Sequence, residues 1–299
     1  MINKSADNIL FSIVIPTYNR AFLIKNTIEA VLGQQYKNLE LIVVDDGSTD
    51  NTEEVVNAIS DKRIRYFKKE NEERGAARNY GARVAKGEYV NFVDSDDITY
   101  PHHLQEAYNF ILNNNKPLLF HLGYEIVSPD NKVLKKMDNL KGDITLKLIK
   151  DNFLSPIGMF VRRDIALQFP FETDRRLSIT EDWELWLRLA SRFPILYSNT
   201  ITSKIIDHEQ RSIKEYNIDK IIIRDTLLIE KLTRDEAFSK KYKNYIPAFI
   251  ADRYTFFALL LALKKERKKT IKFLTKAFFA DPAVLIRKRF LASIKHLLM

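Results

Sequence analysis

The chain has no cysteine, which excludes disulfides, thiolate metal sites and cysteine nucleophiles and fits a reducing compartment. Glycine is scarce, eight in 299 residues, so those standing beside strands and turns gain weight. Long apolar runs are missing too. The opening stretch MINKSADNILFSIVIPTYNR is polar up to a five-residue apolar run, without the longer core and small-residue cleavage site of a signal peptide. No uninterrupted apolar run approaches the roughly 18 residues that a bilayer span takes, and the longest candidate, Tyr254 to Leu263, is about half that length. There is no G-x-x-x-x-G-K-[ST] phosphate loop, no G-x-G-x-x-G after the first apolar run, no H-E-x-x-H and no G-x-S-x-G.

What remains is an ordinary soluble composition, 45% hydrophobic and 29% charged, long enough for one large domain or one domain with an appendage. The net charge of +9 is unevenly placed. Residues 264–299 hold 11 Lys/Arg against 2 Asp/Glu, so the first 263 residues are balanced. A basic tail on a neutral body points to a local anionic surface, phospholipid headgroups or nucleic acid.

Phe11 to Ile15 reads as a buried parallel strand that Pro16 ends, and residues 22–35 set Ile24, Ile28, Val31 and Leu32 on one helical face. Leu39 to Val44 is a second buried strand, ending at Asp45, Asp46 and Gly47. Asp50 with Glu53 predicts a helix N-cap, with Val55, Val56 and Ile59 on the apolar face. Ile64 to Phe67 predicts a third strand, Ala76 to Ala85 a helix stopped by Gly87, and Tyr89 to Val93 a fourth strand running into Asp94. Strands alternating with helices imply a doubly wound sheet whose ligands bind beyond the carboxyl ends of the strands. The two acidic clusters then share one edge. Further on, Leu118 to Val127 and Lys132 to Leu134 predict a hairpin about Pro129-Asp130-Asn131. Another short strand is expected within 155–163, a helix over Thr180 to Ser191, and helices from Ile218 onward, with a soft boundary near 212–218.

Asp94-Ser95-Asp96-Asp97 puts three carboxylates in four residues, which repel one another unless cations or hydrogen bonds relieve them. By itself this is either a turn with a helix cap before Pro101 or a site for magnesium or manganese, which prefer hard oxygen ligands. Asp45-Asp46-Gly47-Ser48 is either a turn and helix cap or a carboxylate that accepts from a nucleobase N–H, with Gly47 allowing close backbone approach. Two such clusters on one edge favour a ligand.

The segments IVIPTYNR (13–20), LIVVDDGSTDNT (41–52), RGAARNYGARVAKGEYVNFVDSDD (74–97) and TEDWELWLRLA (180–190) together resemble family-2 glycosyltransferases of the GT-A fold, of the bacterial surface-polysaccharide type. The resemblance covers about residues 11–212 and is strongest through 101. It implies a nucleotide-diphospho-sugar transferase with a mixed, mainly parallel sheet flanked by helices. The expected domains are a catalytic domain over 1–212, with a nucleotide-sugar half about 11–101 and an acceptor half about 102–212, and a helical, basic C-terminal region over 213–299. By the resemblance Pro16 and Tyr18 contact the nucleoside and Asp46 hydrogen-bonds the base. Arg78 is a basic residue near the nucleotide, or else a solvated helix arginine. Asp94 and Asp96 are the D-x-D pair around Ser95. Asp96 is the better metal ligand, and Asp94 holds ribose or metal-bound water.

The resemblance makes Asp182 the base that removes the acceptor proton in inverting members, with Glu181 as neighbour and substitute. Asp182 stands at a helix start beside Trp183 and Trp186, where partial desolvation would raise its pKa toward that task. The alternative is a helix-start acid favoured by the dipole. The tryptophans read mostly as core, with an exposed ring able to stack on an acceptor sugar. In Ile206 to Ser212, His208 is a metal ligand or phosphate contact or a surface histidine, and Arg211 a phosphate contact.

The expected reaction is transfer of a sugar from a nucleotide-diphosphate donor, by default a UDP-sugar, to a saccharide or lipid-linked saccharide acceptor, with inversion and with Mn2+ or Mg2+. The alternatives are a nucleotidyltransferase, which would need a glycine-rich basic loop that PTYNR does not supply, or a catalytically silent scaffold binding partners through its basic helices. Residues 254–299 alternate apolar and basic clusters, as helices lying on an anionic membrane do. Packing on the catalytic domain and homodimerisation are the other readings of that tail. Nucleic acid ranks last. The expected location is cytoplasmic, peripheral on the inner face of the cell membrane.

Overall fold

Strand β1 (Phe11–Thr17) is apolar and β-branched and is buried at every position. In the computed structural model, which describes residues 8–137, 139–209, 211 and 217–298, it is the inner strand of a parallel array. Chain order continues with α1 (Ile24–Leu32), β2 (Leu39–Asp45), α2 (Thr52–Asn57), β3 (Ile64–Lys68), α3 (Glu73–Val84) and β4 (Tyr89–Phe92). The strands lie side by side as β3-β2-β1-β4, all parallel, so their carboxyl ends share an edge. Strand β1 does not stop at Pro16. Pro16 pairs in register with Val44 of β2, and β4 has already ended its ladder opposite Val14. Thr17 accepts from the Asp46 amide on the β2 side, so Pro16 turns its missing N–H to the β4 side, where no strand partner remains.

Helix α1 buries Ile24, Thr27, Ile28 and Val31, the face its spacing predicts. The cap before α2 differs from the expectation. Asp50 accepts from the Thr52 amide and hydroxyl, while Glu53 pairs with Lys68 and does not reach back to the backbone. Helix α3 lies against β1, and Gly81 makes that approach possible: a Cβ there would stand 2.3 Å from Val14 Cγ1.

The second half of the sheet is built by β5 (Ile98–Thr99), α4 (His103–Asn113), β6 (Leu119–Val127), β7 (Val133–Lys136), α5 (Thr145–Lys150), β8 (Met159–Arg162), α6 (Arg163–Gln168), α7 (Glu181–Ala190) and β9 (Leu196–Ile206). Strand β8 pairs antiparallel with β4 and β6, β9 parallel with β6 and antiparallel with β5, and β7 forms the hairpin with β6. The sheet is therefore mixed, in the order β3-β2-β1-β4-β8-β6-β9-β5. Its apolar core joins Phe11, Ile13, Val43, Tyr89, Phe120 and Phe160.

The chain divides into two compact units, Met1–Arg211 and Ser212–Met299. The boundary expected after residue 212, and Gln210 and Ser212 of the last predicted site segment, lie outside the described residues. The second unit comprises α8 (Ile218–Arg234), α9 (Glu236–Lys241), α10 (Ile246–Leu263), α11 (Arg267–Ala280) and α12 (Lys288–Leu298). Helix α10 is long and apolar enough to cross a membrane, with a mean hydropathy of 1.6. A search for uninterrupted runs misses it because Asp252 and Arg253, which pair at 2.7 Å, divide it. Its Ala251, Phe257, Ala258 and Leu261 form the centre of the second unit's core.

Candidate active site

At the end of β2 the two adjacent aspartates are used differently. Asp45 is fully buried and spends both oxygens inside the protein, accepting from the Ser48 amide at 2.7 Å and the Tyr66 hydroxyl at 2.6 Å. Asp46 turns the other way and accepts from the Lys69 ammonium at 2.7 Å and the Glu72 amide at 3.0 Å, both on Oδ1. Between them and the next helix Gly47 adopts φ +84°, a region that disfavours other residues. The loop after β1 is tied to this turn, because the Asn19 amide donates to Ser48 Oγ and Asn19 Oδ1 accepts from the Thr49 amide. Pro16 and Tyr18 thus stand at the edge that carries Asp46. Pro16 is buried, whereas Tyr18 is 47% exposed and offers its ring.

The three acids beyond β4 escape mutual repulsion in three ways. Asp94 accepts from Arg78 Nη2 at 2.6 Å. Burial opposes its ionisation, but Arg78, Arg74 and Arg211 outweigh that and hold it below the usual carboxylate range. Asp96 Oδ2 meets His208 Nε2 at 2.9 Å. Asp97 is buried, and burial with the charges of Asp96 and Asp94 pushes its carboxyl well up against the pull of Arg211 and of a backbone hydrogen bond from Ile206. Ser95 is buried within the same turn, which the Asp97 amide closes onto the Asp94 carbonyl at 3.0 Å.

His208 arrives from the end of β9, where the Asp207 amide bonds to the Val127 carbonyl. No group of three or more His, Cys, Asp or Glu side chains disposed to hold a metal occurs among the described residues. Asp96 and His208 nevertheless form a convergent oxygen–nitrogen pair. Magnesium and manganese in nucleotide enzymes commonly take one or two protein ligands and complete their shell with phosphate oxygens and water. The donor set fits such an ion.

Arg78 is neither a solvated helix residue nor exposed toward a ligand. It is 1% exposed, lies over the Phe171 ring, and bridges Asp94 to Glu181 Oε1, the latter at 2.8 Å. A buried arginine between two carboxylates is strongly held in its charged form, as the two acids more than offset its desolvation. It links the end of β4 to the start of α7, where Glu181 lies 103 residues beyond Arg78 itself.

There Asp182 accepts on Oδ1 from the Trp183 amide at 2.7 Å and from Asn152 Nδ2 at 3.1 Å. Burial, and then the charge of Glu181, push its carboxyl up to about 7 against the pull of Arg78 and those hydrogen bonds. Glu181, its neighbour, pairs with Arg78 through Oε1 at 2.8 Å. Trp183 and Trp186 are both buried and donate to the Leu148 and Leu154 carbonyls, so neither offers a ring for stacking.

The fold therefore gathers Asp94, Ser95, Asp96 and His208, with Asp182 joined to them through Arg78 and Glu181, and sets Pro16, Tyr18 and Asp46 along the same carboxyl edge. Two participants escape sequence reading. Lys69 follows the end of β3 and could have been found as the third strand end on that edge. Asn152 sits in an irregular segment with no signal.

The family model for glycosyl transferase family 2 matches residues 12–167. The chain is 33% identical over 271 residues to an uncharacterized glycosyltransferase of Rickettsia felis, covering 86% of this chain and 44% of that one. It likewise spans less than half the length of two further Rickettsia relatives at the same identity. It is 33% identical over 184 residues to the Escherichia coli UDP-Glc:alpha-D-GlcNAc-diphosphoundecaprenol beta-1,3-glucosyltransferase WfgD, 61% of this chain and 70% of that one. Among solved structures, S. aureus TarS 1-349 in complex with UDP-GlcNAc superposes with a TM-score of 0.73 at 21% identity, over 96% of this chain and 88% of that one. The mannosyltransferase PcManGT of Pyrobaculum calidifontis, in complex with GDP-Man and Mn2+, gives 0.60 at 17% identity, over 96% and 86%. At these identities the structures establish the fold, which is the GT-A fold of nucleotide-sugar transferases.

Proposed function

Since the chain belongs to glycosyl transferase family 2, we propose that it moves a sugar from a nucleotide-diphosphate donor to an acceptor hydroxyl, with inversion at the anomeric carbon and with bound manganese or magnesium. The observation that carries this reading is Asp182, a carboxyl pushed up to about 7 and wired through Glu181 and Arg78 to the Asp94–Asp96 turn. A base whose pKa lies near the working pH is present as carboxylate and still accepts a proton effectively.

In the proposed reaction the acceptor oxygen attacks the anomeric carbon as its bond to the diphosphate breaks, and Asp182 takes the acceptor proton. Oδ1 of Asp182 is engaged with Trp183 and Asn152, which assigns the proton to Oδ2. Asp46 with Lys69, together with Pro16 and the exposed Tyr18 ring, holds the nucleoside. Asp94, with Ser95 beside it, would hold the ribose or a water on the ion. Asp96 and His208 would hold the ion, which when bound offsets charge on the departing diphosphate. Arg78 serves beneath the site, keeping Asp94 ionised and holding Glu181 in place.

UDP is the proposed nucleotide, supported by the names of WfgD and of the TarS complex. The GDP-Man complex of PcManGT is the reason to test others. A lipid-linked saccharide is the proposed acceptor and surface glycan its product, in line with the diphosphoundecaprenol substrate in the name of WfgD. The basic C-terminal helices then hold the enzyme at the cytoplasmic face of the membrane. The test is donor hydrolysis with UDP-glucose, UDP-GlcNAc and GDP-mannose, each with manganese or EDTA. Manganese-dependent release of one nucleotide supports the reading. No release from any donor, with no nucleotide binding, returns the chain to a silent scaffold.

A further inference from the structure

The second unit leaves one corner of itself apolar and uncovered. Helix α11 buries Thr270, Phe273, Leu274 and Ala277, the following turn buries Val284, and α12 buries Phe290 and Ser293. Between these anchors the chain turns large apolar groups outward. Phe279 is 79% exposed and Ile286 84%, and Phe278, Leu285 and Leu291 are exposed beside them. The inward positions of α11 fix the outward stripe, on which Lys268, Ile271, Lys272 and Phe279 recur at helical spacing and are all exposed. On α12 the exposed residues Lys288, Leu291, Lys295 and Leu298 recur in the same way. Basic and apolar side chains therefore alternate on the exposed face of each helix.

The charge decides what covers it. A second copy of the chain would set 11 Lys/Arg and 2 Asp/Glu against the same excess, and like charges brought together repel. An anionic bilayer meets both demands, because its phosphates attract the lysines while the boundary of its acyl chains accepts phenylalanine and isoleucine.

We infer that the corner formed by the end of α11, the turn at Pro282–Ile286 and the start of α12 inserts Phe279 and Ile286 into an anionic membrane, with Lys268, Lys272, Lys288 and Lys295 lying among the phosphates around them. This names the surface through which the enzyme reaches a lipid-linked acceptor. It rests on the proposed function for its purpose and not for its test.

The test uses the full chain with vesicles of phosphatidylcholine, with or without phosphatidylglycerol, read by co-sedimentation. The expected result is binding to the anionic vesicles only, weakened by salt. The double variant Phe279→Ser, Ile286→Ser should lower the partition coefficient by about tenfold or more, and Lys268→Gln with Lys272→Gln by roughly thirtyfold. All four side chains are exposed, so both variants should keep the wild-type melting temperature. Equal vesicle binding by the wild type and the Phe279/Ile286 variant overturns the inference. So does a dimer in solution that this variant abolishes while the wild type ignores vesicles, or displacement from the vesicles by a nucleic-acid oligonucleotide at equal charge. Vesicle binding that follows the expected order while no donor is hydrolysed upholds the inference and sinks only the proposed catalysis.

Discussion

At the residue scale, the site is a set of carboxylates whose environments have been driven apart. Asp94 is kept charged by buried arginine, Asp96 faces a histidine, Asp97 is pushed toward its neutral form, and Asp182 is pushed up to about 7. If Asp182 is the base, transfer should fall as pH drops below about 7, because the carboxylate becomes protonated, and a pH profile of kcat will display that limb. Asn152 donates to Asp182 and lowers its pKa, so Asn152→Ala should move the limb to higher pH. Asp182→Asn should cost about 10²–10⁴-fold in turnover with donor binding retained in a calorimetric titration. It should also stabilise the fold. A carboxyl whose folded pKa exceeds its unfolded value favours folding while protonated, and that contribution is lost as pH rises from about 4 to about 7. The asparagine is spared the loss, so its melting temperature should exceed that of the wild type at pH 8 and not at pH 4.

At the element scale, the site depends on helices α3 and α7 being held where Arg78 can reach both partners. Helix α3 approaches β1 through Gly81, and any added Cβ meets Val14. Gly81→Ala should destabilise by about 1–3 kcal/mol, as overpacking does, and lower the melting temperature by roughly 2–4 °C per kcal/mol. Differential scanning calorimetry checks this, and an unchanged melting temperature would mean that the helix shifts freely. The parallel strands β1, β2 and β4 were legible because each is a short, mainly apolar run buried at every position, whereas the edge strand β3, IRYFK, is only partly buried. Strands β5 and β9 were not. Strand β5 has two residues, and β9, Leu196–Ile206, carries Ser, Asn and Thr through its middle, where Asn199 and Thr200 are exposed.

At the scale of the whole molecule, each unit has its own apolar core. Both tryptophans belong to α7 in the first unit, so intrinsic tryptophan fluorescence reports the unfolding of the unit that carries the site. The proposed nucleotide with manganese, at a hundred times its Kd, should stabilise that unit by about 2.7 kcal/mol. The fluorescence midpoint should rise accordingly, and the same nucleotide with EDTA should raise it less. An equal rise in EDTA would remove the metal from the donor site. The basic tail belongs to this scale as well, because eleven Lys/Arg act through their sum and not through single contacts.

The sequence alone determined the α/β class, the parallel half-sheet, the shared edge of the two acidic clusters and the hairpin at Pro129-Asp130-Asn131, since local periodicity and turn chemistry encode these. It also pointed to Asp46, Asp94, Asp96, Asp182 and His208. Tertiary structure alone decided how each is used. Asp45 and Asp46 are neighbours of one type, both buried, and only packing turns the first to Tyr66 and the second to Lys69. Arg78 carries no mark of its burial, because its partners Asp94 and Glu181 lie 16 and 103 residues away. The tryptophans beside Asp182 read as well for a sugar platform as for a core, and the carbonyls of Leu148 and Leu154 make them core. A pKa is likewise a property of surroundings: the carboxyl of Asp94 is lowered beside Arg78 and that of Asp182 is raised by burial, and both the arginine and the burial are assigned by the fold.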